Sequence, residues 1–321
     1  MAWWGFGWRW RSRASAFGCE PSVIQVQDLL ALGAATCWAA SALLSAEPSK
    51  HLGAFAFVRW RMMAVLLLLW PAAWLLSDFS RASISAIAVM ALSGVIGISL
   101  GDSALFGAMN RLGPRRTGVL FATHALFSAG LGFVLLSERL GLQAYVGALV
   151  TVGGVMVAVA WGRRSSEVHA WEPEGNSRSG VGLALLAAFC QAVGALIAKP
   201  VLSGEAAMDP VLALALRVSA AWLALWLGWA LRPSVGAAKQ AINWTVFKQT
   251  AISGWVGMGV GMGLLLWALS LGAVGAVGVL SSISPVMVLP LLWWKFKRVP
   301  AIGAWVGAAL AVFGTALMLT R

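Results

Sequence analysis

The sequence predicts an all-α membrane protein in which ten transmembrane helices form two inverted five-helix repeats. Three observations carry this expectation. First, 60% of the 321 residues are hydrophobic and only 11% are charged, with a mean hydropathy of +0.84. A soluble domain carries about 25% charged residues. Second, about ten stretches approach the roughly 20 apolar residues that span a bilayer core, which leaves no room for a sizeable aqueous domain. Third, the two halves repeat each other in order and spacing. Five is an odd number, so the second half enters the membrane the other way up.

Taken in order, residues 1–26 read as an N-terminal tail, MAWWGFGWRWRSRASAFGCEPSVIQV. Its four Trp and three Arg suit a membrane interface, and it lacks the apolar run of about 7–15 residues found in signal peptides. The first repeat, 27–161, holds spans at 27–46, 54–76, 86–109, 116–136 and 142–161. Gly113-Pro114 marks a tight turn between its third and fourth spans, since Pro cannot continue a helix and biases the preceding residue out of the helical region. Residues 162–179, GRRSSEVHAWEPEGNSRS, have no apolar period and read as a polar linker. The second repeat, 180–321, holds spans at 180–199, 211–231, 249–270, 273–294 and 301–319. The eighth contains GWVGMGVGMG, whose overlapping G-x-x-x-G pairs, like Gly97/Gly101 in the third, suit close helix packing.

The echo between halves is specific in its order. AATCWAASALLSAEP (34–48) is matched by AAFCQAVGALIAKP (187–200), so Cys37 aligns with Cys190 and Glu47-Pro48 with Lys199-Pro200. Arg59 heads the second span as Arg217 heads the seventh. Counting back from the turns at Gly113 and Gly272 puts Gly261 at the place of Asp102 and Ile283 at the place of His124. Inverted repeats of this kind place a substrate site near the midplane between them.

On these residues the chain resembles the drug/metabolite transporter superfamily, in the ten-helix form with two EamA domains. The resemblance rests on Arg59 and Arg217, the turns Arg111-Leu112-Gly113-Pro114 and Leu271-Gly272-Ala273, Pro285 in the ninth span, and Glu138-Arg139-Leu140 closing the fourth. A small-residue span follows each half's fourth: GALVTVGGVMV (147–157) and GAALAVFGTALM (307–318). The second half departs from the pattern, with Lys297-Arg298-Val299 where the acidic residue would fall, so the family's Glu is carried over to Glu138 alone. The resemblance implies secondary transport of small metabolites such as amino acids or organic anions, by alternating access and as an exporter. It also implies that both termini face the cytoplasm.

Ionisable residues inside the spans are the candidate site. Let face B be the membrane face where the first span ends, and face A the other. At about 1.5 Å per residue, Arg59 and Arg61 lie roughly 8–11 Å inside face B, and Asp102 and His124 roughly 11–12 Å inside it. Lys199 and Arg217 lie toward face A. A charge at such depth costs about 2.5–3.5 kcal/mol on insertion scales, so these groups should face a path or one another. Arg59, Arg61, Asp102, His124, Arg217 and Lys199 are therefore the expected substrate path. Asp102 and His124 are candidate proton carriers, because His titrates near neutral pH. The competing reading is structural, with Asp102 neutralising Arg59 or Arg61.

Composition excludes other classes. The net charge of +12 belongs to loops beside anionic headgroups, with no basic soluble module to grip nucleic acid. Three scattered cysteines give neither a disulfide framework nor metal spacing. No Walker, G-x-S-x-G or H-E-x-x-H sequence is present, so no catalytic residue, cofactor or metal is expected. Gly101-Asp102-Ser103 imitates a hydrolase box but sits inside an apolar helix. The expected partners are a small-molecule substrate, the lipid bilayer and a proton as coupling ion. The Ala-, Gly-, Leu- and Arg-rich composition suggests a bacterial cytoplasmic membrane. Two rival readings are a membrane-embedded enzyme on lipid-linked substrates and a non-transporting scaffold. Orientation is opposed by two signals: loops 110–116, 162–179, 231–248 and 294–300 are rich in Lys and Arg, which places face B inside and the termini outside.

Overall fold

The computed structural model describes residues 25–138, 141–161, 178–204, 207–288, 291 and 302–319. Among them, six helices are long and apolar enough to cross a membrane: α1 (Val26–Leu52), α2 (Ala54–Leu76), α3 (Ile84–Gly113), α6 (Arg178–Leu202), α7 (Pro210–Leu231) and α8 (Trp244–Leu271). Shorter apolar helices complete the set. These are α4, in two pieces at 114–121 and His124–Leu136; α5 (Leu142–Ala160); α9 (Val274–Val288), broken at 282–283; and α10 (Ile302–Leu319). The expected tail, most of the linker, Arg139-Leu140 and Lys297-Arg298-Val299 lie outside the described residues.

Short polar signals set the helix ends. The Asp209 carboxylate accepts from the backbone N–H of Val211 (2.8 Å) and Leu212 (3.3 Å), and Pro210 follows as the first helical residue of α7. Asn243 caps α8 through Val246 N–H at 2.9 Å, and Ser83 caps α3 through Ala86 N–H at 3.2 Å. Two connections are single glycines: Gly53 (φ 80°) joins α1 to α2 and Gly113 (φ 79°) joins α3 to α4. A positive φ at these reversals costs a residue without Cβ little and others much. The sequence places the end of the first span near Glu47-Pro48; the structure carries α1 through Pro48 to Leu52.

Helix packing shows the two-fold relation between halves. Helix α2 packs on α7, α4 on α9, and α5 on α10, each pair being one helix and its counterpart. The remaining contacts exchange: α1 packs on α8, and α6 on α3. The α5–α10 contact is closest, with Gly154 against Ala311 and Gly307, and Gly314 against Gly147 and Thr151, leaving no room for a Cβ at either glycine. Small residues let backbones approach where lipid supplies no hydrophobic drive between helices.

Helices α3 and α8 each open into a π-helical stretch at the same place, Val95–Leu100 and Trp255–Gly261. Such stretches leave carbonyls outside the regular ladder and recur at functional sites. Here they lie under one motif written twice, Ser-Gly-x-x-Gly-x-x-x-Gly, at 93–101 and 253–261.

Candidate functional site

The π-helical glycines seat two arginines. On α8, a Cβ at Gly254 would stand 3.0 Å from Cγ of Arg61, and one at Gly257 would strike Ser41 Oγ and lie 2.6 Å from Arg61 Nη2. On α3, a Cβ at Gly94 would strike the Arg217 carbonyl, and one at Gly97 would lie 3.1 Å from Arg217 Nη2. Gly261 meets Cys37 as Gly101 meets Cys190, at 3.0 and 3.3 Å. The repeat offset is thus 160 residues through this region. It corrects two alignments expected from sequence. Arg61, not Arg59, is the counterpart of Arg217. Met262 and Ser284, not Gly261 and Ile283, stand for Asp102 and His124. The turn glycine is displaced by one residue between halves, which shifted the count.

Arg61 is buried, with partners at both terminal nitrogens and none at Nε among the described residues. Its Nη1 donates to Asp102 Oδ2 at 3.0 Å, and its Nη2 donates to Ser41 Oγ at 3.1 Å. Ser41 in turn donates to the Ser253 carbonyl at 2.8 Å, one of the carbonyls beside the π-helical stretch. The Trp38 indole donates to the Gly257 carbonyl at 3.0 Å. Helices α1, α2, α3 and α8 are tied together at this point. Of the two structural partners considered for Asp102, the structure selects Arg61.

Arg217 is the largest fully buried side chain among the described residues, 1% exposed, and its Nε and Nη1 have no hydrogen-bond partner among them. His124 is also buried. It starts the second piece of α4, with its ring 5.1 Å from Phe121 and 6.5 Å, edge-on, from Trp38. Arg61, Asp102, Arg217 and, through Trp38, His124 therefore gather around the seam between the halves.

Arg59 and Lys199 are engaged elsewhere. Arg59 lies between the rings of Trp226 and Trp229, at 4.9 and 4.8 Å, and donates to the Gly236 carbonyl at 3.1 Å. Lys199 donates to the carbonyls of Leu269 and Gly272, each at 2.7 Å, at the C-terminal end of α8. Glu138 completes that corner, accepting from Val274 N–H (2.8 Å) and Gly275 N–H (3.1 Å) at the start of α9. A cation at a helix C-terminus and a carboxylate at an N-terminus both oppose the local dipole charge. These two side chains fix the α8–α9 turn at face A. Sequence reasoning missed Ser41 and Trp38 as site residues. The echo that aligns Cys37 with Cys190 already sets Ser41 opposite Gly194, and this was the available signal. Among the described residues, no group of three His, Cys, Asp or Glu could hold a metal ion.

Two inverted halves closing on buried charge define a membrane transporter of small molecules. A family model described as the EamA-like transporter family matches residues 25–160 and again residues 178–320. The chain belongs to the EamA-like transporter family. It is similar to a solved structure titled "Crystal structure of protein", with a TM-score of 0.69 and 18% identity over 91% of this chain and 95% of that one. That likeness concerns the fold. No curated protein matches the chain.

Proposed function

We propose that this protein is a secondary transporter, working as an exporter of small metabolites such as amino acids or organic anions, by alternating access around the seam between its repeats. The observation that carries the reading is the buried layer of Arg61, Asp102 and Arg217 where α2, α3, α7 and α8 meet. Ionisable groups at that depth belong to a path or to a pair, and this layer holds one more cation than its pair uses. The π-helical stretches of α3 and α8 back onto it and give both halves a deformable segment at the same height.

Proton coupling through Asp102 and His124 is part of the reading. Asp102 is ion-paired with Arg61 at one contact, and His124 sits on the neighbouring broken helix. The test is solute counterflow in proteoliposomes with mixed metabolite pools, with and without an imposed pH gradient. Accumulation of a compound that rises with the gradient supports both parts. An unchanged gradient dependence in Asp102→Asn and His124→Ala, measured per folded protein, sinks the coupling. No accumulation of any compound from folded protein contradicts transport and favours the enzyme or scaffold reading.

A further inference from the structure

The two halves build the same arginine cradle twice, and only one is filled. In the first, Arg61 of α2 lies over Gly254 and Gly257 of α8, and its guanidinium is closed by the Ser41 hydroxyl of α1 and the Asp102 carboxylate of α3. In the second, Arg217 of α7 lies over Gly94 and Gly97 of α3, beside Gly194 of α6. The 160-residue offset and the Cys37–Cys190 register identify what should close it. The counterpart of Ser41 is Gly194, and the counterpart of Asp102 is Met262. The second cradle has the arginine and has neither the hydroxymethyl group nor the carboxylate.

The consequence is visible at Arg217. Its Nε and Nη1 are buried without hydrogen-bond partners among the described residues, one nitrogen more than in Arg61 or Arg59, which each lack a partner at Nε alone, and a buried guanidinium short of hydrogen bonds is costly for a fold to hold. Arg59, the third buried arginine, shows how a structural arginine is accommodated here, between two indoles and on a carbonyl. Asp102 gives its direct hydrogen bond to Arg61 and reaches Arg217 only by Coulomb attraction at longer range. Met262 offers a flexible thioether that can yield space. The first cradle shows within the same molecule what the second is shaped to hold, a carboxylate 3.0 Å from a guanidinium nitrogen.

We infer that the Arg217 cradle binds the carboxylate of the transported solute, which takes the place that Asp102 occupies in the other half. This rests on the transporter reading above and names its substrate class. Two guanidiniums and one carboxylate leave a single positive charge in the layer, which one monoanion neutralises. The solute is therefore a monocarboxylate carrying one net negative charge, rather than a dianion such as sulfate.

The test is counterflow in proteoliposomes of the full chain, using a size series of monocarboxylates against their neutral amides (lactate and lactamide, phenylacetate and phenylacetamide), with sulfate as the dianion and the mixed metabolite pool alongside. Carboxylates are expected to accumulate at least about tenfold faster than their amides, since losing one partner of a buried charge pair typically costs that factor or more. Met262→Asp supplies the missing carboxylate from within. It should lower carboxylate flux at least about tenfold relative to Met262→Asn, which has the same size and no charge. Equal flux in the two variants overturns the inference, as does preferential accumulation of amides, sulfate or neutral solutes from the pool; these last outcomes leave transport standing. Accumulation of nothing overturns the transport reading together with the inference. If Met262→Asp does not fold, Arg217→Gln removes the cradle's charge, and retained selectivity for carboxylate over amide in that variant overturns the inference.

Discussion

Arg59 and Arg61 are two residues apart and have different fates. Positions i and i+2 on a helix do not share a face, so one guanidinium turns to the indoles of α7 and the other to Asp102. Sequence placed both at a common depth but could not choose between them, because the choice depends on the rotation of α2 about its axis. In a membrane helix, apolar residues cover every side and hide that rotation. Asp102 was legible as a charge requiring compensation. Its replacement, Asp102→Asn, leaves the Arg61 guanidinium buried without a counter-charge and should lower unfolding free energy by about 3–5 kcal/mol. In the double variant Arg61→Gln/Asp102→Asn the losses should be less than additive, as expected of residues in contact. Denaturant titration in micelles measures both, and strictly additive losses would show that the two do not act as a pair. At face A, Glu138→Ala removes the carboxylate that accepts two N–H groups at the start of α9. A cost of about 1 kcal/mol is expected in the same titration.

At the scale of elements, span positions and the Gly113 turn could be read from the sequence, while the breaks within spans could not. The interruptions of α4 at 122–123 and of α9 at 282–283 leave apolar composition unchanged. The π-helical stretches are equally silent in hydropathy. Their trace is the repeated Ser-Gly-x-x-Gly-x-x-x-Gly spacing, which an alignment anchored on the turn glycines places out of register by one. The glycines of that motif are not equivalent in the fold. Gly257→Ala drives a methyl into Ser41 and Arg61 and should destabilise by about 1–3 kcal/mol, the usual cost of overpacking. Gly259 has open space around its Cβ position. Gly259→Ala should be neutral or stabilising, by up to about 1 kcal/mol, from helix propensity alone. Equal melting temperatures for the two variants would contradict the packing described for α1, α2 and α8.

For the whole molecule, order and spacing in the sequence announced two inverted halves, and helix pairing shows them: α2 on α7, α4 on α9, α5 on α10. What remained hidden was which polar residues would meet, since that depends on how the halves interlock through α1–α8 and α3–α6. The interlocking places an asymmetric charge layer inside a symmetric fold, two arginines with one carboxylate that hydrogen-bonds only Arg61. It also separates the central arginines from Arg59, which shares their chemistry and lies nearer face B against α7. The most direct measurement compares counterflow of the transported solute, per folded protein, in Arg217→Gln and Arg59→Gln. The account predicts that flux falls at least about tenfold in Arg217→Gln, while Arg59→Gln loses thermal stability and keeps its flux. Equal flux in the two variants, whether retained or lost, would contradict a solute path through the seam between the repeats.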